Sequence, residues 1–250
     1  MKLSLELPPL LLEEISPLLE VDFALAQHVL DSKTYADFYR RQRANSRYVI
    51  LDNGFHELGH PLSIPELKEA AERIEPSVIV APDWLGKPKE TFDAFLDMYT
   101  SLGSKFRIGV VLAGSSSEER HRFFAATHRK ASLLCLPFRE PRFVWFKELV
   151  GAFGSSNYVW PSKLHLLGVN TLHELTEFKD FFKKVNFPEE RVSVDTAKPI
   201  KWAMAGKRFY TEMNLRNAPF SSNDVPKIEK LTPTQKADLL YNIAFLRKYV

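Results

Sequence analysis

The sequence predicts an α/β fold, a (β/α)8 TIM-like barrel formed as a single domain over residues 1–250. Three observations lead there. Short β-branched runs alternate with amphipathic stretches at a period of about 25–30 residues, which marks βαβ units and a parallel sheet. Seven or eight such units favour closure into a barrel, and 250 residues is a common length for one. Four strand-like runs, YVILDNG, SVIVAPD, LHLLGV and RVSVD, end in an acid or a glycine, at the strand ends where a barrel builds its active site. An open doubly wound sheet is expected to show a glycine-rich phosphate loop after its first strand. Neither G-x-G-x-x-G nor a Walker loop occurs here.

In chain order, the opening to Glu20 is broken by Pro8, Pro9 and Pro17, and Val21–Ala26 reads as the first strand. Ser32–Arg43 follows as a helix with Tyr35, Phe38 and Tyr39 at helical spacing. Tyr48–Leu51 is the second strand and delivers Asp52-Asn53-Gly54. Ser63 with Pro65 and Glu66 gives a capping box for a helix to Ile74. Ser77–Ala81 is the third strand, and a helix from Pro88 to Leu102 lines up Phe92, Phe95, Leu96 and Tyr99. Phe106–Leu112, Ala131–Leu136 and Leu164–Leu167 are the next strands. Helices follow them from Gly114–Glu119, over Phe143–Phe153 and over Thr171–Lys184. Val192–Val194 is the seventh strand, Arg208–Thr211 the choice for the eighth, and Leu231–Tyr249 a closing helix capped by Thr232 or Thr234.

Composition bounds the function. A hydrophobic content of 45% is ample for one core, and a net charge of +3 permits an anionic partner without demanding one. The single cysteine, Cys135, rules out an intrachain disulfide and any multi-cysteine zinc site, and fits a reducing cytoplasm. Acids and prolines interrupt the N-terminal leucines, so they do not read as a signal peptide, and no apolar run approaches the ~20 residues of a membrane span.

Asp52, Asp83 and Asp195 each sit at the end of an apolar strand. Each could cap the next loop or helix, or face the barrel mouth as a reactive group. Three at equivalent ends would converge on closure. Converging carboxylates suit either a metal ion or acid–nucleophile work on a glycosidic bond. Metal-dependent barrel hydrolases usually add a His-x-His pair, which this sequence lacks, so glycosyl chemistry leads.

The same residues resemble a family. Asp195, Pro199, Lys201, Ala203 and Gly206 follow the nucleophile segment of the tRNA-guanine transglycosylases, with lysine where arginine is usual. YVILDNGFHE is similar to that family's strand before Asp-Ser-Gly-Gly-Phe-Gln, matching at Asp52 and Gly54 and departing at Phe55 and His56. IVAPDWL aligns with the strand of its second base-reading aspartate, hence Asp83. LHLLGVNTLHEL looks like its Leu-Met-Gly-Val-Gly segment, placing Gly168. The likeness runs over roughly Val21 to Gly206. It implies base exchange through a covalent Asp195–glycosyl intermediate, with Asp52 moving protons and Asp83, Gly54, Gly168, Cys135 and Leu136 facing the base. Leu112 replaces a base-reading glutamine, and CLPFRE replaces a glycine-rich segment.

No zinc subdomain can be built from one cysteine. With the short length, this makes the chain resemble the compact phage relatives that insert 7-deazaguanines into DNA. The implied partners are nucleic acid, DNA favoured and tRNA possible, and a free 7-cyano- or 7-aminomethyl-7-deazaguanine; no cofactor, metal or membrane is implied. A base-releasing hydrolase, a small-nucleoside version and an idle nucleic-acid-binding barrel are the alternatives. Lys198, Lys201, Lys207, Arg208 and Arg216 are candidate phosphate contacts, and Trp84 and Trp202 candidate stacking residues, each with an ordinary surface or core reading beside it. Arg40, Arg41, Arg43 and Arg47 read first as a solvated helix face, with phosphate contact as the alternative. Cys135 reads as a buried strand residue rather than a second nucleophile, and His28, His56 and His165 as structural.

Overall fold

The computed structural model describes residues 1–138, 141–155, 160–209 and 230–250. Its eight strands are β1 Lys2–Leu5, β2 Asp22–Leu25, β3 Val49–Asp52, β4 Val78–Val80, β5 Ile108–Val111, β6 Leu133–Leu136, β7 Lys163–Leu166 and β8 Val192–Thr196. They pair in parallel in the order β1-β8-β7-β6-β5-β4-β3-β2. A parallel bridge between Glu6 and Phe23 joins β1 to β2 and closes the ring. The fold is a (β/α)8 barrel.

The helices are α1 Leu12–Ile15, α2 Ala26–Asp31, α3 Lys33–Ala44, α4 Phe55–Leu58, α5 Ile64–Ile74, α6 Pro88–Leu102, α7 Ser117–Thr127, α8 Arg142–Phe153, α9 Leu172–Lys184, α10 Lys198–Met204 and α11 Pro233–Leu246. Their starts follow the expected chemistry. Ser63 and Glu66 form a complete capping box on α5, and Thr232 with Gln235 does the same on α11. Ser32, Ser116 and Thr171 cap α3, α7 and α9. Ser63→Ala removes an acceptor for an otherwise orphaned helix N–H, and a loss of about 1 kcal/mol in urea unfolding is expected. An unchanged midpoint would show that water replaces the cap fully. No helix among the described residues is long and apolar enough to cross a membrane.

Two strand assignments change. The first strand is Lys2–Leu5, so Asp22–Leu25 is the second. The opening hides a strand because KLSLE alternates: Leu3 and Leu5 join the layer beneath the helices, while Ser4 and Glu6, two residues apart, share the inner face. The prolines come only after this strand ends. With β1 in place, β8 is Val192–Thr196 and completes the barrel. Arg208 and Phe209 are not in a strand, and Tyr210 and Thr211 lie outside the described residues.

Inside the barrel, Phe23, Leu25, Ile50, Val78, Val80, Val111, Leu133 and Cys135 form one packed cluster. The larger cluster lies between strands and helices, where Phe146, Trp160, Phe178, Phe182 and Phe187 interlock with ring centroids 5.1–5.7 Å apart. The inner cluster fills the barrel as far as the strand ends, and the functional surface begins above it.

Candidate active site

A cavity of about 320 Å³ opens at the carboxyl end of the barrel, and Asp52, Asp83 and Asp195 all line it. Each is held by a different local device.

Asp195 is the penultimate residue of β8 and only 7% exposed. Its Oδ1 accepts the Gly168 N–H at 2.9 Å and lies 3.1 Å from His165 Nε2, whose Nδ1 is 2.8 Å from Ser193 Oγ. The imidazole is fully buried and stacks on Phe23 at 5.5 Å. Asp195 Oδ2 has no hydrogen bond among the described residues, so one oxygen is anchored and the other is not.

Asp52 closes β3. Its Oδ2 accepts the Gly54 N–H at 2.9 Å. Burial raises its pKa well above the usual carboxylate range, and the charges of Glu57, Asp83 and Asp195 add to the rise, against the Gly54 hydrogen bond. Asp83 sits three residues beyond β4, and its Oδ1 accepts from Asn53 Nδ2 at 2.8 Å. Asn53 also donates to the Ala81 carbonyl and accepts the Phe55 N–H, so one buried amide ties the loop after β3 to that after β4.

The two glycines that serve the acids need their residue type. Gly54 has φ +78°, and a Cβ there would lie 2.7 Å from Gln27 Oε1; Gly168 has φ +59°, and a Cβ would lie 3.3 Å from Phe138 Cβ. Left-handed backbone turns each N–H back onto a carboxylate at little conformational cost only for glycine.

The other expected site residues divide. Lys198 and Lys201 line the cavity, and burial together with Lys201 lowers the Lys198 pKa to about 8. Lys207 and Arg208 do not line it. Lys207 lies over the Trp202 ring, and Arg208 pairs with Asp238 at 2.6 Å over Tyr241. Arg216 lies outside the described residues. Gly54 turns its N–H to Asp52 and is absent from the cavity wall.

Cys135 and Leu136 are also absent from the wall. Cys135 is in the barrel interior, where burial pushes its thiol pKa well up, and Leu136 faces the helices. The same alternation turns Leu112 outward, so Val111 meets the cavity from β5. Trp202 is buried against Phe209, and Trp84 lines a smaller neighbouring hollow. The arginine cluster is spent on the fold: Arg40 and Arg43 donate to the Arg73 and Glu75 carbonyls, Arg41 pairs with Glu13, and Arg47 with Asp22 at 3.0 Å.

Several cavity residues carried no sequence signal. His165, fully buried and outside the cavity wall, holds Asp195 from behind, as a structural residue would, while His56 is on the wall. Phe55 and the half-exposed Phe138 are the aromatic groups of the mouth. Arg142, 1% exposed, braces the floor by donating to Glu174 and to the Leu136 and Leu167 carbonyls.

Glu6 and Glu57 add two more acids, giving five carboxyls and two ammonium groups on the wall. Burial raises the Glu6 pKa well above the ordinary glutamate value, with Glu57 and Asp195 adding to the rise; burial raises Glu57 as well. Among the described residues no three His, Cys, Asp or Glu side chains are grouped to hold a metal ion.

Glu6 carries a stability consequence. The folded chain keeps a proton there that the unfolded chain releases, so its contribution is complete below the ordinary glutamate range. That contribution is lost as pH rises through the raised folded value. Glu6→Gln is therefore expected to melt a few degrees above wild type at pH 8, at roughly 2–4 °C per kcal/mol for this size, with the two converging toward pH 4. Melting curves across pH that stay parallel would contradict this.

No family model matches the chain, and no curated protein matches it. Among solved structures, it is similar to the 3,6-anhydro-D-galactonate cycloisomerase from Zobellia galactanivorans (TM-score 0.54, 14% identity, 77% of this chain and 52% of that one). It is also similar to an oxaloacetate acetylhydrolase (TM-score 0.51, 14% identity, 81% of this chain and 77% of that one). A third is the N-acetylneuraminate lyase from Mycoplasma synoviae (TM-score 0.50, 9% identity, 82% and 74%). The chain spans about half the length of the cycloisomerase. All three are enzymes, none is a transglycosylase, and at these identities they share the barrel alone.

Proposed function

We propose that the chain is an enzyme, a pentosyltransferase that exchanges guanine in nucleic acid for a 7-deazaguanine through an Asp195–glycosyl intermediate. One observation carries this reading: Asp195, with one oxygen anchored and the other without a hydrogen bond among the described residues, lines the same cavity as Asp83 and as Asp52, whose pKa burial raises. A neutral acid beside an available nucleophile is the arrangement that cleaves and re-forms a glycosidic bond.

In the first half-reaction Asp195 Oδ2 attacks the anomeric carbon and the carbon–nitrogen bond breaks. The guanine nitrogen takes the proton from Asp52 as the glycosyl ester forms. In the second, the Asp52 carboxylate removes the corresponding proton from the incoming base, whose nitrogen displaces Asp195. Asp83 accepts hydrogen bonds from the donor edge of the base. The His165–Ser193 pair holds the nucleophile's orientation.

DNA is the favoured polymer, by the likeness to the compact phage enzymes. An acid-rich cavity suits a single extruded nucleotide, with the phosphates kept outside near Lys198 and the half-exposed Phe138 available to stack. The test incubates the protein with DNA or tRNA and labelled guanine or a 7-cyano or 7-aminomethyl analogue. Label entering DNA supports the reading, and label entering tRNA alone shifts it to the tRNA reaction. Release of base without incorporation makes the chain a hydrolase. Tight binding with neither outcome makes it an idle barrel.

A further inference from the structure

The peptide group that joins Leu167 to Gly168 is held at both ends. Its N–H donates to Asp195 Oδ1 at 2.9 Å, and its carbonyl, that of Leu167, accepts from Nη1 of Arg142. The guanidinium is buried and is fixed along its other edge by Glu174, whose carboxylate accepts from Nε and, at 2.9 Å, from Nη2. Nη1 also reaches the Leu136 carbonyl at 3.3 Å, the same oxygen that accepts the Leu167 N–H at 3.0 Å. One buried cation therefore sets the plane of the peptide whose N–H meets Asp195.

The peptide that serves Asp52 is built the same way but without a charge. Gly54 donates to Asp52 Oδ2, and the carbonyl of that peptide, on Asn53, accepts the neutral Leu62 N–H at 2.9 Å. A cation on a carbonyl polarises the whole amide and strengthens the hydrogen bond made by its N–H, by roughly 10–30% per bond. The Arg142–Glu174 pair is neutral overall, so its influence is local and directional: Nη1 faces the peptide while the carboxylate holds the opposite edge. The acid assigned the nucleophile's part has the polarised peptide, and the acid assigned the proton has the plain one.

We propose that Arg142 is a positioning residue that acts on Asp195 through the Leu167–Gly168 peptide, with its main effect on the second half-reaction. This inference rests on the base-exchange reading. When Oδ2 is bonded to the anomeric carbon, Oδ1 is the carbonyl oxygen of the ester and still faces Gly168. As the incoming base nitrogen bonds to that carbon, its proton passes to Asp52 and the carbon–Oδ2 bond breaks. The electron pair returns to the carboxylate and spreads onto Oδ1. Charge thus develops where the polarised N–H already points, which favours the departure of Asp195. In the first half-reaction the same hydrogen bond has opposing effects. It aims Oδ2, yet it stabilises a carboxylate that must give up its charge.

The test measures two-substrate kinetics with nucleic acid and labelled guanine, and the steady-state fraction of enzyme held as covalent adduct, in the wild type, Arg142→Lys and Glu174→Gln. Lysine keeps the charge but has no fork to span Glu174 and both carbonyls. Glutamine at 174 keeps Arg142 and loosens its anchor, and it keeps the test open should Arg142→Lys fail to fold. In each variant kcat/KM for the incoming base is expected to fall about tenfold, less than the 10²–10³ or so lost with a whole oxyanion donor. The value for nucleic acid falls by less, and adduct accumulates. Equal losses in both half-reactions without accumulation, or wild-type kinetics, overturn the proposal. The Gly168 amide proton gives a readout that needs no turnover: a stronger hydrogen bond moves it downfield, so it is expected to shift upfield in both variants while that of Gly54 stays. If the wild type exchanges no base, the base-exchange reading fails and this proton decides. An upfield shift confined to Gly168 then retains the coupling of Arg142 to Asp195, and a Gly168 signal that stays, or moves no further than that of Gly54, overturns it.

Discussion

Asp195→Ala is expected to lower labelled-base incorporation by at least about 10⁴-fold and to abolish any covalent protein–nucleic acid adduct. Among the described residues, no other carboxylate of the cavity combines one oxygen pinned by a backbone N–H and an imidazole with a second that has no hydrogen bond. The alanine variant also strands the Gly168 N–H and His165, which costs stability of about 1–3 kcal/mol for each buried group left unpaired. Asp195→Asn separates the two effects. Its amide oxygen can still accept from Gly168, yet it cannot form the ester. Both variants should bind nucleic acid and leave no adduct on a denaturing gel. Wild-type incorporation by either would remove Asp195 from the chemistry and the proposed mechanism with it.

Asp52→Asn is expected to reduce kcat/KM for exchange by about 10²–10⁴-fold, the usual contribution of a placed acid–base group. The pH profile distinguishes this role from mere positioning. Burial, with the neighbouring carboxylates, keeps the proton on Asp52 above the ordinary carboxylate range. The donor form is therefore present below that raised value and lost as pH climbs through it, giving the wild type a falling alkaline limb. Asparagine has no proton to lose there. An Asp52→Asn enzyme that kept the same limb would assign the titration to another group, with Lys198, lowered to about 8, the first to examine.

Much of the barrel could be read directly because local chemistry repeats around it. Period-2 apolar runs, serine and threonine caps and the βα spacing specify each unit before any contact between units forms. Asp52, Asp83 and Asp195 were visible as acids at the ends of such runs. Lys2–Leu5 was not, because half of its alternation is Ser4 and Glu6, residues with no apolar signal until the barrel exists to receive them.

The expected strand residues that miss the cavity do so by face or by depth. On a strand, neighbouring residues take opposite faces: Leu136, and Leu112 at the place of the family's glutamine, face the helices, while Cys135 faces inward but lies in the packed interior, so none of the three lines the cavity. His165 shows the opposite case: on a buried strand it reads as packing, and only the neighbouring strand brings Asp195 to 3.1 Å from it.

The sequence by itself determined the units, their order and the acids at their tips, since these depend on residues close along the chain. Tertiary structure alone decided which side chains share a cavity and which acids keep a proton. Glu6 and Glu57, 51 positions apart by residue number, become a pair only when ring closure sets β1 beside β2 and the turn after β3 folds over it. Burial and the mutual repulsion that follow belong to the assembled site, and no local pattern encodes them.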